Sequence, residues 1–306
     1  MYPYILLMFA VIFYAGNILV GKAINELPPF TITFFRLLTA FIVLLPIGVS
    51  GALRHREEFR KHKKPLLIMT VTGIALFNIL LYGALQFTTS TKVAVMEGAI
   101  PVVTVIMSAY MLKERLNISQ WSGILLSMAG AVWVVMNGNV LELATSDWNV
   151  GDVIMVGAVI TWAVYTIAVK QYMPLFPFYG ALLVMSGLSL IMLLPFLLIE
   201  WFVMGIPAFT VPTVGGLLYL GIFPSVLALI FYNRAVEILN PSQASIFLNF
   251  LPVITMIGAY FWLGETVTVT QIVGALAVIG GVLLTTRVKG KRNSVKVNNK
   301  QSKSEA

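Results

Sequence analysis

The chain has 306 residues, of which 59% are hydrophobic and 10% charged, with a formal net charge of +8 and no cysteine. Soluble domains carry about 25% charged residues, so a water-soluble fold is excluded. Disulfides, thiolate metal sites and thiol nucleophiles are excluded as well.

In a bilayer the length divides into spans of about 20 residues. Residues 3–23 are apolar, with no Lys or Arg before them, and read as a first helix rather than a signal peptide. Pro28-Pro29 breaks the chain before a second helix, 30–48. The polar segment LRHREEFRKHKKP follows, with both histidines and six cations. Further spans are expected at 65–85, 92–112 and 118–137, then a polar loop at 138–149 without Lys or Arg. The second half repeats the series at 150–171, 177–199, 214–234, 241–263 and 269–286. Residues 287–306 are polar and basic, with too little apolar surface to fold, and read as a disordered tail.

Cation placement orients these ten helices. With both termini in the cytoplasm, 17 of the 20 Lys and Arg residues fall on the inner side. The positive-inside rule therefore predicts that topology in the cell membrane.

The chain also repeats itself. The segment from Lys92 to Arg115 is an apolar run holding Glu97 and Pro101, and Gln243 to Glu265 restates it. Pro101, Thr104 and Glu114 match Pro252, Thr255 and Glu265 at an offset of 151. Lys22 and Pro29 match Lys170 and Pro177 at an offset of 148, and Gly123 and Gly130 match Gly274 and Gly281. Five helices per half is an odd number, so the halves (3–137 and 150–286) must lie inverted in the membrane. Inverted repeats place a ligand site near the midplane between them.

The pattern of Asn17 to Lys22, Pro28-Pro29, Arg36 and Pro46, then a proline-centred hairpin ending in Leu-x-Glu, occurs across ten helices given as two halves. It resembles the EamA family of the drug/metabolite transporter superfamily. The resemblance covers residues 3–287 and implies an all-α membrane protein of two inverted five-helix repeats. It also implies an exporter or exchanger of small metabolites, amino acids or drugs.

Arg36 and Glu97 are the only ionisable groups well inside the expected spans. Each costs roughly 2.5–3.5 kcal/mol at bilayer depth and needs a partner or a wet cavity. By the helix rise they lie about 9 and about 7.5 Å from the outer end of their spans, so a direct pair is one reading. The other is that one of them meets the substrate, or that Glu97 takes up a proton. Neither has a charged counterpart in the second half, where Val184 and Leu248 stand.

Pro101 and Pro252 each remove a helix donor, which suits either a cavity wall or a simple packing kink. Glu97, Pro101 and Thr104 share one helical face, and Ser245, Asn249 and Pro252 another; both are candidate walls. Asn17, Asn78, Tyr82, Trp162, Tyr165, Tyr232 and Asn233 are candidate polar and aromatic lining. For Tyr82, Trp162 and Tyr232 a membrane-interface belt is the competing reading. Lys22 and Lys170 are expected to snorkel to the surface. Gly123-x3-Ser127 and Ala277-x3-Gly281 let helices approach closely, within the chain or in a homodimer.

A membrane enzyme is the competing class, but no P-loop, HExxH or nucleophile elbow occurs. A scaffold using the basic loop on anionic lipid is a third class. The expected partners are a small-molecule substrate and the lipid bilayer, with a proton or exchange solute as candidate coupling species. No nucleic acid, cofactor, metal or catalytic residue is expected.

Overall fold

Lipid offers no hydrogen bonds, so apolar runs of this length satisfy their own backbone as helices. In a computed structural model of the protein, the structure describes residues 2–88, 93, 96–113, 116–136, 138–139, 149–263 and 268–287. Helix is the only regular structure among them. Lys92, Glu114, Arg115 and Glu265, most of the 138–149 loop and the tail lie outside the described residues.

Helix α1 is Tyr2–Ala23 and α2 is Pro29–Arg54, with Pro29 at its first position, where a missing N–H costs nothing. Both α2 and α8 (Phe178–Met204) outrun the expected spans, with Pro46 and Pro195 inside them. The basic segment between α2 and the next span folds a short helix, α3 (Arg56–Lys61), whose buried Phe59 stacks on Phe176 at 5.1 Å.

Helix α4 (Lys63–Phe87) contains a π-helical stretch, Thr70–Leu76, and α9 (Val211–Ile238) contains another, Phe223–Ala228. Helix α5 is Ile100–Met111, α6 is Ile118–Val135 and α7 is Val150–Tyr172. The span from Pro241 is in three pieces: α10 (Pro241–Ser245), a 3-10 segment (Ile246–Phe250) and α11 (Leu251–Leu263). Helix α12 is Val269–Arg287.

Among the described residues, six helices are long and apolar enough to cross a membrane, and the remaining apolar helices are shorter. The expected count of ten spans is therefore not reached by length alone. Part of the reason is local, since the proline-bearing segments are broken: Gly98-Ala99 form a turn before Pro101, and the 3-10 segment precedes Pro252. Outward faces carry Ile191, Phe202, Val203 and Leu276, all largely exposed. Apolar surface on that scale is stable against lipid and not against water. This is a multi-pass membrane protein.

The helix pairs cross antiparallel. On α2 and α8, Thr31 meets Glu200 at one end while Gly48 meets Leu183 towards the other. On α6 and α12, Gly123 faces Gly281 and Gly130 faces Gly274. The small-residue faces seen in the sequence thus pack within the chain.

Candidate functional site

Proline and the π turns decide where side chains converge. Pro224 lacks the N–H that would bond the Leu220 carbonyl, and the Ser225 hydroxyl donates to that carbonyl instead, at 2.7 Å. Its oxygen then accepts from Arg36 Nε at 2.8 Å. In α4, the Asn78 side-chain amide donates to the Ile74 carbonyl within the π stretch, at 2.8 Å. That fixes Asn78 Oδ1 towards Arg36 Nη1, again at 2.8 Å.

Asn17 Oδ1 on α1 completes the set, accepting from Arg36 Nη1 at 2.9 Å and from the Tyr82 hydroxyl at 2.8 Å. Arg36 also donates to the Tyr82 oxygen and lies 5.4 Å from that ring's centroid. One buried guanidinium therefore gathers α1, α2, α4 and α9. Nη1 shares two hydrogens among three acceptors, so with Nε the cluster amounts to about three hydrogen bonds; at about 1.5–3 kcal/mol each these offset the membrane cost.

Arg36 and Glu97 do not form a salt bridge: no ion pair within 4.0 Å joins them among the described residues, and every hydrogen-bond acceptor of Arg36 is neutral. Similar depth along two helices fixes height in the membrane and leaves the facing direction free. Glu97 instead lines a partly open cavity, with 290 Å³ of empty space counting its open side, together with Tyr14, Asn17, Phe77, Trp162 and Leu248. A second, also partly open, cavity with 360 Å³ of empty space is lined by Arg36, Asn78, Ser225 and Gly73, and shares Tyr14, Asn17, Phe77 and Trp162 with the first. The shared aromatics form the partition, with Trp162 4.5 Å from Phe77 and 5.6 Å from Tyr14 between centroids.

The other candidates are distributed around this pair. Tyr165 exchanges hydrogen bonds with Asn233, at 2.7 and 3.0 Å, and Tyr232 bonds Thr166 at 3.0 Å. Tyr82, Trp162 and Tyr232 are all buried, which corrects the interface-belt reading. Tyr165 reaches this depth because Gly73, in the π stretch, has no Cβ where the ring lies.

Pro101 and Pro252 sit just after the two helix breaks. Thr104 is buried with its hydroxyl unpartnered, whereas Ser245 bonds the Ser242 carbonyl and Asn249 Nδ2 donates to Ser127 Oγ at 2.8 Å. None of these three is among the residues that line either cavity.

Lys22 and Lys170 are half-buried, each with its ammonium on a helix end. Lys22 Nζ donates to the carbonyls of Leu85 and Thr88, at 2.8 and 3.2 Å. Lys170 Nζ does the same to Glu237 and Leu239, at 2.8 and 2.7 Å. Each ammonium caps the C-terminus of α4 or α9, where orphan carbonyls and the helix dipole favour a cation.

Sequence reasoning missed Tyr14, Phe77, Ser225 and Glu200. Ser225 was signalled by the proline before it, which frees a carbonyl inside a span. Glu200 lies one residue past the expected span and accepts from the Phe30 and Thr31 amides, at 3.0 and 2.8 Å, so it caps the start of α2. Among the described residues, no group of three His, Cys, Asp or Glu could hold a metal ion.

A multi-pass helical bundle enclosing a buried, polar-lined cavity between broken and π-widened helices is the class of a membrane transporter. The chain belongs to the EamA-like transporter family, which it matches over residues 1–136 and again over 149–287. It is similar to the uncharacterised transporter YyaM of Bacillus subtilis, with 28% identity over 81% of each chain. An uncharacterised transporter of Archaeoglobus fulgidus is also 28% identical, over 92% of this chain and 96% of its own. A probable terminal-alkyne amino-acid exporter of Streptantibioticus cattleyicolor is 25% identical, over 83% and 84%. A solved crystal structure with 16% identity superposes with a TM-score of 0.76 over 93% of this chain and 96% of that one, a likeness of fold.

Proposed function

We propose that the protein is a secondary transporter that exports small organic solutes across the cell membrane by alternating access between two inverted five-helix halves. The observation that carries this is the meeting of two broken, proline-bearing helices at one cavity. Glu97 and Ile100 line it from the first break, Leu248 and Leu251 from the second. Discontinuous helices from opposite repeats flanking a midplane site are the working parts of repeat-built transporters.

The helix pairing supports inversion. Gly123 corresponds to Gly274 and Gly130 to Gly281, and each touches the counterpart of the other. A two-fold axis in the membrane plane makes contacts of that kind. Ten spans then follow if the broken segments count as one span each, with both termini cytoplasmic.

Apart from Tyr14, which is half-buried, the residues lining the cavity are buried. Tyr4 stacks on Phe247 at 5.6 Å, joining the start of α1 to the 3-10 segment. In the proposed topology this contact lies on the cytoplasmic side and parts when the cavity opens inward. The substrate contacts proposed are Asn17, Arg36, Asn78, Tyr82, Glu97 and Trp162. No catalytic step is involved.

The amino-acid exporter among the relatives places amino acids in the first panel to test. Purified protein in liposomes is expected to move a small solute down that solute's own gradient, or an ion's, without nucleotide. Absence of flux across a broad metabolite panel under every gradient, with turnover of some member instead, would replace the carrier by an enzyme.

A further inference from the structure

Glu97 is 5% exposed and contributes to the wall of the smaller cavity. Among the described residues, no basic side chain lies within 4.0 Å of it. The neighbouring guanidinium is occupied by Asn17, Asn78, Tyr82 and Ser225. A charged carboxylate buried at bilayer depth without a partner is costly to hold, so it either takes up a proton or pairs with something the protein itself does not supply.

Its surroundings say what that is. Tyr14, Phe77 and Trp162 present aromatic surface to the same space, and aromatic faces attract cations. The Tyr14 hydroxyl is buried without a hydrogen-bond partner. The hydroxyl offers a further acceptor to an N–H donor. Ile100, Leu248 and Leu251 supply apolar wall and no competing charge.

We infer that this cavity binds the protonated amine of an organic solute, with the ammonium on Glu97 and its carbon skeleton against Tyr14, Phe77 and Trp162. The inference rests on the transporter reading and names the substrate class: an amine-bearing molecule rather than an organic anion or a neutral solute. A hydrated alkali cation would gain the carboxylate but leave the aromatic walls unused.

The test is calorimetric binding to the purified full-length protein of three probes of one size: 2-phenylethylammonium, 2-phenylethanol and 3-phenylpropionate. The cation is expected to bind at least about tenfold more tightly than the alcohol, and the anion more weakly still. Glu97→Gln is expected to lower the affinity for the cation about tenfold or more without changing that for the alcohol, and Glu97→Asp to keep the original order. If Glu97→Gln aggregates on size exclusion, the order of the three probes on the unmodified protein decides, together with an expected loss of cation affinity in Trp162→Leu. Equal or tighter binding of the alcohol or anion would overturn the inference, as would full displacement of 2-phenylethylammonium by an equal concentration of sodium.

Liposome flux separates the two claims. An amine that binds through Glu97 but never crosses would sink the carrier and keep the site. Flux of neutral or anionic solutes at an unchanged rate in Glu97→Gln would keep the carrier and sink the amine site.

Discussion

Gly123 on α6 and Gly281 on α12 touch backbone to backbone: a Cβ on Gly123 would lie 2.6 Å from the Gly281 carbonyl oxygen, and one on Gly281 2.5 Å from that of Gly123. Neither oxygen can retreat without bending a helix. Gly281→Ala is therefore expected to destabilise the protein by about 1–3 kcal/mol, read as a fall in melting temperature in detergent. Gly280→Ala meets nothing closer than a Leu126 methyl group at 3.9 Å and is expected to be neutral. Equal melting temperatures for the two variants would remove this contact from the fold's essentials.

The Arg36 cluster is expected to behave as one unit. Asn78→Leu removes an acceptor from a buried charge, which costs about 1–3 kcal/mol or more. Once Arg36→Met has removed the charge, Asn78→Leu is expected to cost much less. A double-mutant cycle on chemical denaturation would show coupling of about 0.5–3 kcal/mol, as for residues sharing a network. Strict additivity would mean that Arg36 does not depend on Asn78.

The lysine caps act locally. Lys22→Met leaves the carbonyls of Leu85 and Thr88 without their ammonium, so faster amide exchange is expected near the end of α4, with a stability loss of about 0.3–2 kcal/mol. Lys170→Met is expected to do the same at the end of α9. Exchange spread evenly over the protein, rather than confined to those ends, would count against the caps.

Topology is checked by single cysteines in this cysteine-free chain. Asn139→Cys is expected to react with an impermeant thiol reagent in intact cells, and Arg56→Cys only after lysis. The reverse pattern would invert the protein.

The sequence showed the two hairpins because proline leaves a visible mark and a constant offset repeats it. Helix existence was legible for the same reason, since long apolar runs in lipid have few alternatives. The π stretches were not, because an extra residue in a turn changes no composition. They turn Asn78 and Ser225 towards Arg36, so its real partners were hidden, and the depth argument offered Glu97 as one partner instead. Tyr14 and Phe77 looked like any aromatic in an apolar span until the fold placed them around one carboxylate. Lys22 and Lys170 were legible as a matched pair, but the carbonyls they cap lie more than 60 residues further along the chain.

In the proposed cycle the cavity opens by parting elements that touch in this structure. The most direct test uses Tyr4→Cys with Phe247→Cys, whose native rings stack across the proposed cytoplasmic closure. The double variant, reconstituted in liposomes and bridged by a short disulfide-cleavable crosslinker, is expected to stop transporting while bridged. Flux should return when reductant cuts the bridge, and the same variant without crosslinker should transport throughout. Undiminished flux through the fully bridged protein would contradict alternating access at this closure.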